Sequence, residues 1–124
     1  FEGNTAPYLQ YAYTRIQSIF RRGDVAPATL PVRPAISERA ERQLAVLLVR
    51  FQEIVEQVAE DGCPHLLCGY LYDLATAFMR FYEACPILNA DADVRASRLR
   101  LCARTGDTLR LGLGLLGIET VERM

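Results

Sequence analysis

Lysine is absent from this 124-residue sequence, and all 14 of its basic residues are arginine. Genomic base composition alone can produce such a bias, yet arginine also brings planar stacking and forked hydrogen bonding that lysine lacks. Fifteen acidic residues leave a formal net charge of −1, so overall charge does not attract nucleic acid and any such binding has to be local. No apolar run approaches the roughly 20 residues needed to span a bilayer, and the start at Phe1 has neither the n-region nor the h-region of a signal peptide. With no initiator methionine at Phe1, the sequence reads as a fragment of a larger protein. Histidine occurs once, at His65, without the serine, cysteine or carboxylate neighbours that catalysis would need. Cys63, Cys68, Cys85 and Cys102 form no CxxC pair, and the five-residue step from Cys63 to Cys68 is not a zinc-knuckle spacing. They read as reduced structural thiols lying within apolar helical patterns. Sustained alternation, Asn-Gly turns and β-branched runs are missing too, so no sheet is expected.

What is present is helical periodicity over one domain, residues 1–124, with 51% hydrophobic and 23% charged residues. A first helix is predicted from Pro7 to Arg22, stopped by Gly23. Pro27, Pro31 and Pro34 then impose an extended crossover. Ser37 is placed to cap a second helical region, where Leu44, Leu47, Leu48, Phe51, Ile54, Val55 and Val58 repeat at three and four. This region is either one long helix or two that meet near Phe51 and Gln52, and Asp61 and Gly62 end it. A further helix starts at Pro64 and carries Leu67, Leu71, Leu74, Phe78, Phe81 and Cys85 until Pro86. The last follows Asp91 and Asp93, bears Leu99, Cys102, Leu109, Leu113 and Leu116 on one face, and stops at Gly117. The predicted architecture is an all-α bundle of four to five helices with one long Pro-containing connection.

Several patterns invite a functional reading. "GLGLLG", Gly112 to Gly117, spells the dinucleotide fingerprint, but a helix precedes it and no strand–turn–helix unit surrounds it, so close helix packing is the better account. Arg95, Arg98, Arg100 and Arg104 would make either a phosphate-binding patch or a mixed-charge face in water, and the nearby Asp91, Asp93 and Asp107 favour the latter. No paired carboxylates lie in an apolar setting, and no enzyme site is visible. The first helix stands apart. On an idealised wheel at about 100° per residue, Leu9, Ala12, Ile16 and Phe20 form a core face with Tyr13 at its edge. Tyr8, Tyr11, Arg15, Ser18 and Arg22 form a second face about 130° away. Two rings and two guanidinium groups there can stack unpaired bases and contact phosphates. The same face can equally pack against a neighbouring domain or another helix.

"GNTAPYLQYAYTRIQSIF" (residues 3–20), "PHLLCGYLYDLATAFMRFYEACPIL" (64–88) and "RLRLCARTGDTLRLGLGLLGIETVERM" (98–124) together resemble the C-terminal DALR-type anticodon-binding domain of bacterial-type arginyl-tRNA synthetases. The match spans nearly the whole sequence, and "ERM" resembles that family's own C-terminus. The resemblance implies the non-catalytic module of a cytoplasmic class I ligase that joins arginine to its tRNA using ATP. ATP and arginine would bind a catalytic Rossmann domain whose HIGH-type and KMSKS-like motifs do not occur here, leaving no cofactor, catalytic residue or metal for this piece. Implied partners are the anticodon loop of arginine tRNAs and the catalytic domain of the same chain, with no membrane and a monomeric state. The family's pocket for the central anticodon base, a cytosine, maps onto Tyr8, Tyr11 and Arg15 of the first helix, Tyr82 of the helix after Pro64, and Met124. Arg22, with Arg21, is expected to attract phosphate. The sequence departs from many relatives in three places. Tyr13 replaces a histidine, Gln52 replaces a helix-breaking proline, and an aromatic residue of some relatives is lost around Pro86.

Overall fold

The structure, a computed structural model, describes residues 5–122. Five α-helices account for most of it: α1 (Thr5–Gly23), α2 (Arg39–Val49), α3 (Phe51–Asp61), α4 (Pro64–Ala84) and α5 (Ala92–Leu115). A single 3-10 turn, Pro27–Thr29, interrupts the crossover between α1 and α2, and no strand occurs among the described residues. The all-α bundle with its long proline-containing connection is therefore the observed fold.

The helix ends follow from local chemistry. Pro64 opens α4, where its missing N–H goes unneeded. Gly62 closes α3 at φ +65°, and Gly117 follows α5 at φ +77°, both left-handed conformations that glycine adopts without a Cβ penalty. At α2 the expected Ser37 cap is replaced. Glu38 holds the cap position, while the Glu41 carboxylate reaches back to accept the N–H groups of Glu38 (2.7 Å) and Ser37 (3.1 Å) and the Ser37 hydroxyl (3.1 Å). A glutamate three residues into the helix outcompetes the serine because one carboxylate serves all three donors.

The second helical region is two helices. Arg50 separates them, and the Leu47 carbonyl just before it accepts both the Arg50 N–H (3.1 Å) and the Tyr70 hydroxyl (2.5 Å). The Tyr70 ring then stacks on Phe51 at 6.0 Å, so a tyrosine from α4 occupies the inside of the bend.

Helix α4 packs against each of the other four helices. Its Leu67, Leu71, Leu74, Phe78 and Phe81 are buried with Leu9, Ile16 and Ile19 of α1, Leu44 of α2, Ile54 of α3 and Leu99, Leu109 and Leu113 of α5. Each such side chain contributes about 1.5–3 kcal/mol on burial. Tyr8 of α1 meets Tyr72 and Thr76 of α4, and Arg22 meets Tyr82, so α1 and α4 run in the same direction. Helix α5 runs against both, with Gly106 over Ile16 and Gly112 over Leu71. A Cβ at Gly112 would lie 2.6 Å from Leu71 Cδ2, so the "GLGLLG" stretch owes one of its glycines to close helix packing.

One face does not account for α5. Ser97, Arg98, Leu101, Ala103, Thr105, Gly106 and Gly112 are buried along with the predicted Leu99, Cys102, Leu109 and Leu113, while the predicted Leu116 caps the helix and is only partly buried. The four arginines neither form a phosphate patch nor point freely into water. Arg95 donates to the Gly23 carbonyl (3.1 Å), Arg104 to Val32, and Arg100 to Pro27, Leu30 and Pro31. Arg98, only 9% exposed, donates to Glu41 (3.1 Å) and to the Pro86 carbonyl (2.7 Å). The extended crossover lacks helical partners for its carbonyls, and α5 supplies the donors.

The cysteines are all free, with Cys85 and Cys102 buried. Burial pushes the Cys102 thiol up to about 12, which keeps it inert. Cys63 departs from the expected apolar setting, since it is exposed at the start of α4.

Candidate nucleic-acid interface

Helix α1 divides along the predicted faces except in its last turn, where Ile19 is fully buried and the expected Phe20 only partly so. Leu9, Ala12 and Ile16 are fully buried, and Tyr13, placed at the edge of the core, lies inside it at 5% exposure. Burial raises the Tyr13 phenol above its ordinary value. On the second face, Tyr11 is 41% exposed and Arg22 is exposed too.

The parallel packing of α1 and α4 brings Tyr82 to this face. The Arg15 guanidinium lies 5.3 Å from the Tyr11 ring centroid and 5.2 Å from that of Tyr82, and it donates to the Tyr11 hydroxyl. One cation thus sits against two aromatic faces from two helices. Its hydrogen bond to Tyr11 raises its pKa further, so the charge is permanent. Arg22 donates to the Tyr82 hydroxyl at 3.5 Å, and that bond, with the nearby charge of Arg15, draws the Tyr82 phenol below its ordinary value against the opposing effect of burial. Behind it, Tyr82 stacks on the buried Phe78 at 6.3 Å, which fixes its ring from the core side. The result is a half-open cage of Tyr11, Arg15, Tyr82 and Arg22. Its aromatic faces suit an unpaired base, and its guanidinium N–H groups can donate to base edges or phosphate.

Tyr8 is placed differently from the other three first-helix residues. It is half-buried, its hydroxyl is 3.2 Å from Thr76 Oγ1, and its ring lies 5.2 Å from Tyr72. Of the two readings the sequence left open for this face, packing on another helix describes Tyr8, and an accessible aromatic surface describes Tyr11. Met124 lies outside the described residues. The tail leading toward it runs beside α1, with Gln10 donating to the Glu119 carbonyl (2.9 Å) and Arg21 to that of Glu122 (3.3 Å). Arg21 thereby meets the tail, whereas Arg22 faces Tyr82 and the cage.

Sequence reasoning missed Tyr72 and Thr76. Tyr72 lies off the apolar stripe of α4 yet is a large aromatic at 48% exposure, a signal available only on the helix wheel.

The chain as a whole is similar to known proteins. The chain is 60% identical over its full length to the arginine–tRNA ligase of Marinomonas sp. (strain MWYL1), covering 22% of that protein. Its fold is similar to the Thermus thermophilus arginyl-tRNA synthetase, with TM-score 0.85, 39% identity, and coverage of 100% of this chain and 22% of the other. It is likewise similar to the arginyl-tRNA synthetase of Plasmodium falciparum, with TM-score 0.87, 32% identity, and coverage of 99% of this chain and 22% of the other. The chain therefore spans about a fifth of the length of the curated relatives it matches. The family model for the DALR anticodon binding domain matches residues 9–124. With that match running from α1 to the final residue, the chain belongs to the DALR anticodon-binding domain family.

Proposed function

We propose that this chain, residues 1–124, is the tRNA anticodon-binding module of an arginine–tRNA ligase, and that Tyr11, Arg15 and Tyr82 hold the central anticodon base of arginine tRNAs. The observation that carries the reading is the Arg15 guanidinium placed against the two rings, open to solvent on the Tyr11 side. An anticodon loop offers unpaired bases that can be splayed onto such faces, at about 1–3 kcal/mol per stacked base. Arg22 attracts phosphate at the rim, Tyr8 shapes the surface beside the cage on α1, and Met124 is assigned to the same RNA contact by the family resemblance. ATP and arginine bind elsewhere in the ligase, in a catalytic domain that this module serves, and the intact enzyme works as a cytoplasmic monomer.

The deciding measurement compares binding of an arginine-tRNA anticodon stem-loop with one whose central anticodon base is changed. Wild-type chain prefers the former, while Tyr11→Ala and Arg15→Ala each weaken binding about fivefold or more and erase the preference. Equal affinity of the wild type and both variants would sink the proposal.

A second surface supports the accompanying interaction with the rest of the ligase. Between α3 and α5 lies an apolar groove of about 690 Å³, lined by Phe51, Val55, Leu111, Leu115 and Ile118 among others. Leu111 and Leu115 are exposed in it, as befits a face covered by another domain. The cage uses none of these residues, so RNA binding and domain docking are compatible. Sedimentation with and without RNA separates them, because docking alone gives self-association indifferent to RNA.

A further inference from the structure

We infer that Tyr72, backed by Tyr8, is a second base-stacking subsite for an unpaired nucleobase of the same bound RNA, distinct from the cage around Arg15. The inference rests on the reading of this chain as an RNA-binding module. Tyr72 is 48% exposed although it is a large aromatic residue on the helix that packs against all four others. Its ring is not loose. The Tyr8 ring lies 5.2 Å away at an interplanar angle of 42°, and Tyr8 is itself fixed through its hydroxyl to Thr76, one turn along the same helix. An aromatic ring held against a second ring and half exposed to solvent has the construction of a stacking platform.

The surroundings specify the ligand. Asp73, exposed beside Tyr72, disfavours phosphate there, whereas the neutral face of a base tolerates a nearby carboxylate. Spacing separates this position from the cage. At about 1.5 Å rise per residue, Tyr72 and Tyr82 are about 15 Å apart along α4. Stacked nucleotides advance about 3.4 Å each, so a continuously stacked run covers the distance from Tyr82 to Tyr72 in about four steps. Both platforms open on the seam between α1 and α4, and one loop can occupy both.

The test measures affinity of the full 124-residue chain for an arginine-tRNA anticodon stem-loop and for stem-loops with single abasic loop positions. Tyr72→Leu keeps apolar cover over Tyr8 without a π-face, and Tyr72→Phe keeps the ring without the hydroxyl. Tyr72→Leu is expected to bind about tenfold more weakly and Tyr72→Phe within about twofold of wild type. One abasic position other than the central anticodon base should weaken wild type and have no further effect on Tyr72→Leu. A 2-aminopurine at that position should be quenched on binding to wild type, a signal that does not depend on any variant folding. Wild-type affinity for Tyr72→Leu overturns the subsite, as does weaker binding with an unchanged abasic profile, since the loss would then act through Tyr8. Tyr11→Ala is the internal reference. If it loses affinity while Tyr72→Leu does not, only the second subsite fails. If neither loses affinity, the RNA-binding reading fails as well.

Discussion

The arginines of α5 and those of α1 are the same side chain put to opposite uses. On α5, Arg100 and Arg104 direct their donors into carbonyls of the crossover that links α1 to α2, Arg95 bonds the Gly23 carbonyl where that crossover starts, and Arg98 bonds Glu41 and the Pro86 carbonyl. On α1, Arg15 lies against aromatic faces, and Arg22 makes a single hydrogen bond of 3.5 Å at the surface. The difference lies in the acceptors. Extended backbone around Pro27, Pro31 and Pro34 has carbonyls without helical partners, and forked donors are consumed there in satisfying them. Tyrosine faces leave the N–H edges of a guanidinium free for a ligand. Arginine content alone therefore says nothing about RNA binding here, and the partner of each guanidinium says most of it.

Substituting the buried end of this series should have the largest effect on stability. Glu41 and Arg98 form the one ion pair with both partners buried among the described residues. Burial pushes the Glu41 carboxyl up, but the hydrogen bonds from Glu38, Ser37 and Arg98 outweigh it and hold the group below its ordinary 4.5. Arg98→Ala or Glu41→Gln strands a buried polar partner, and urea unfolding should show a loss of about 3–5 kcal/mol. Because the folded pKa is depressed, the wild-type contribution is complete above about pH 4.5 and is lost as pH falls through the lower folded value. The stability of Glu41→Gln should accordingly depend less on pH in that acidic window. A flat difference between the two proteins from pH 3 to 7 would remove Glu41 as the source.

How far these roles could be read without coordinates depends on where the information is held. The ends of α4 and the stops at Gly62 and Gly117 are local and were visible as proline and glycine positions. The α2/α3 break was open, because it depends on Tyr70 reaching the Leu47 carbonyl from another helix. The α5 arginines were misread, because their acceptors are backbone carbonyls more than 60 residues away for Arg95, Arg100 and Arg104, and carbonyls carry no side-chain signature. In the candidate site, Tyr11 and Arg15 are four residues apart on one helix and could be found by periodicity. Tyr82 came only through family resemblance, and Tyr72 through neither, since its meeting with Tyr8 follows from α1 and α4 running parallel.

Arg100 occupies the middle of the series. It bonds Pro31 at 2.6 Å and both Pro27 and Leu30 at 3.0 Å, but in a half-exposed setting where water can replace it. Arg100→Ala should cost about 1–2 kcal/mol in urea unfolding and raise amide exchange through residues 27–34. Affinity for the anticodon stem-loop should stay unchanged. A drop in affinity would mean that the crossover, and not only the α1/α4 seam, meets RNA.

Arg22 should give the smallest stability change and the clearest functional one. Its guanidinium is exposed and its bond to Tyr82 is long, so Arg22→Ala should alter unfolding by no more than about 0.5 kcal/mol. Without that donor the Tyr82 phenol should titrate at a higher pH, because the Arg22 hydrogen bond is the largest influence lowering it. Tyrosine NMR reads that shift directly. If Arg22 also neutralises one phosphate of a single-stranded loop, the slope of log K against log salt should become shallower by about 0.7. An unchanged slope with a shifted Tyr82 titration would make Arg22 a tuner of the aromatic cage alone, and the contrast with α5 would then be one of acceptor type only, without a ligand at its outer end.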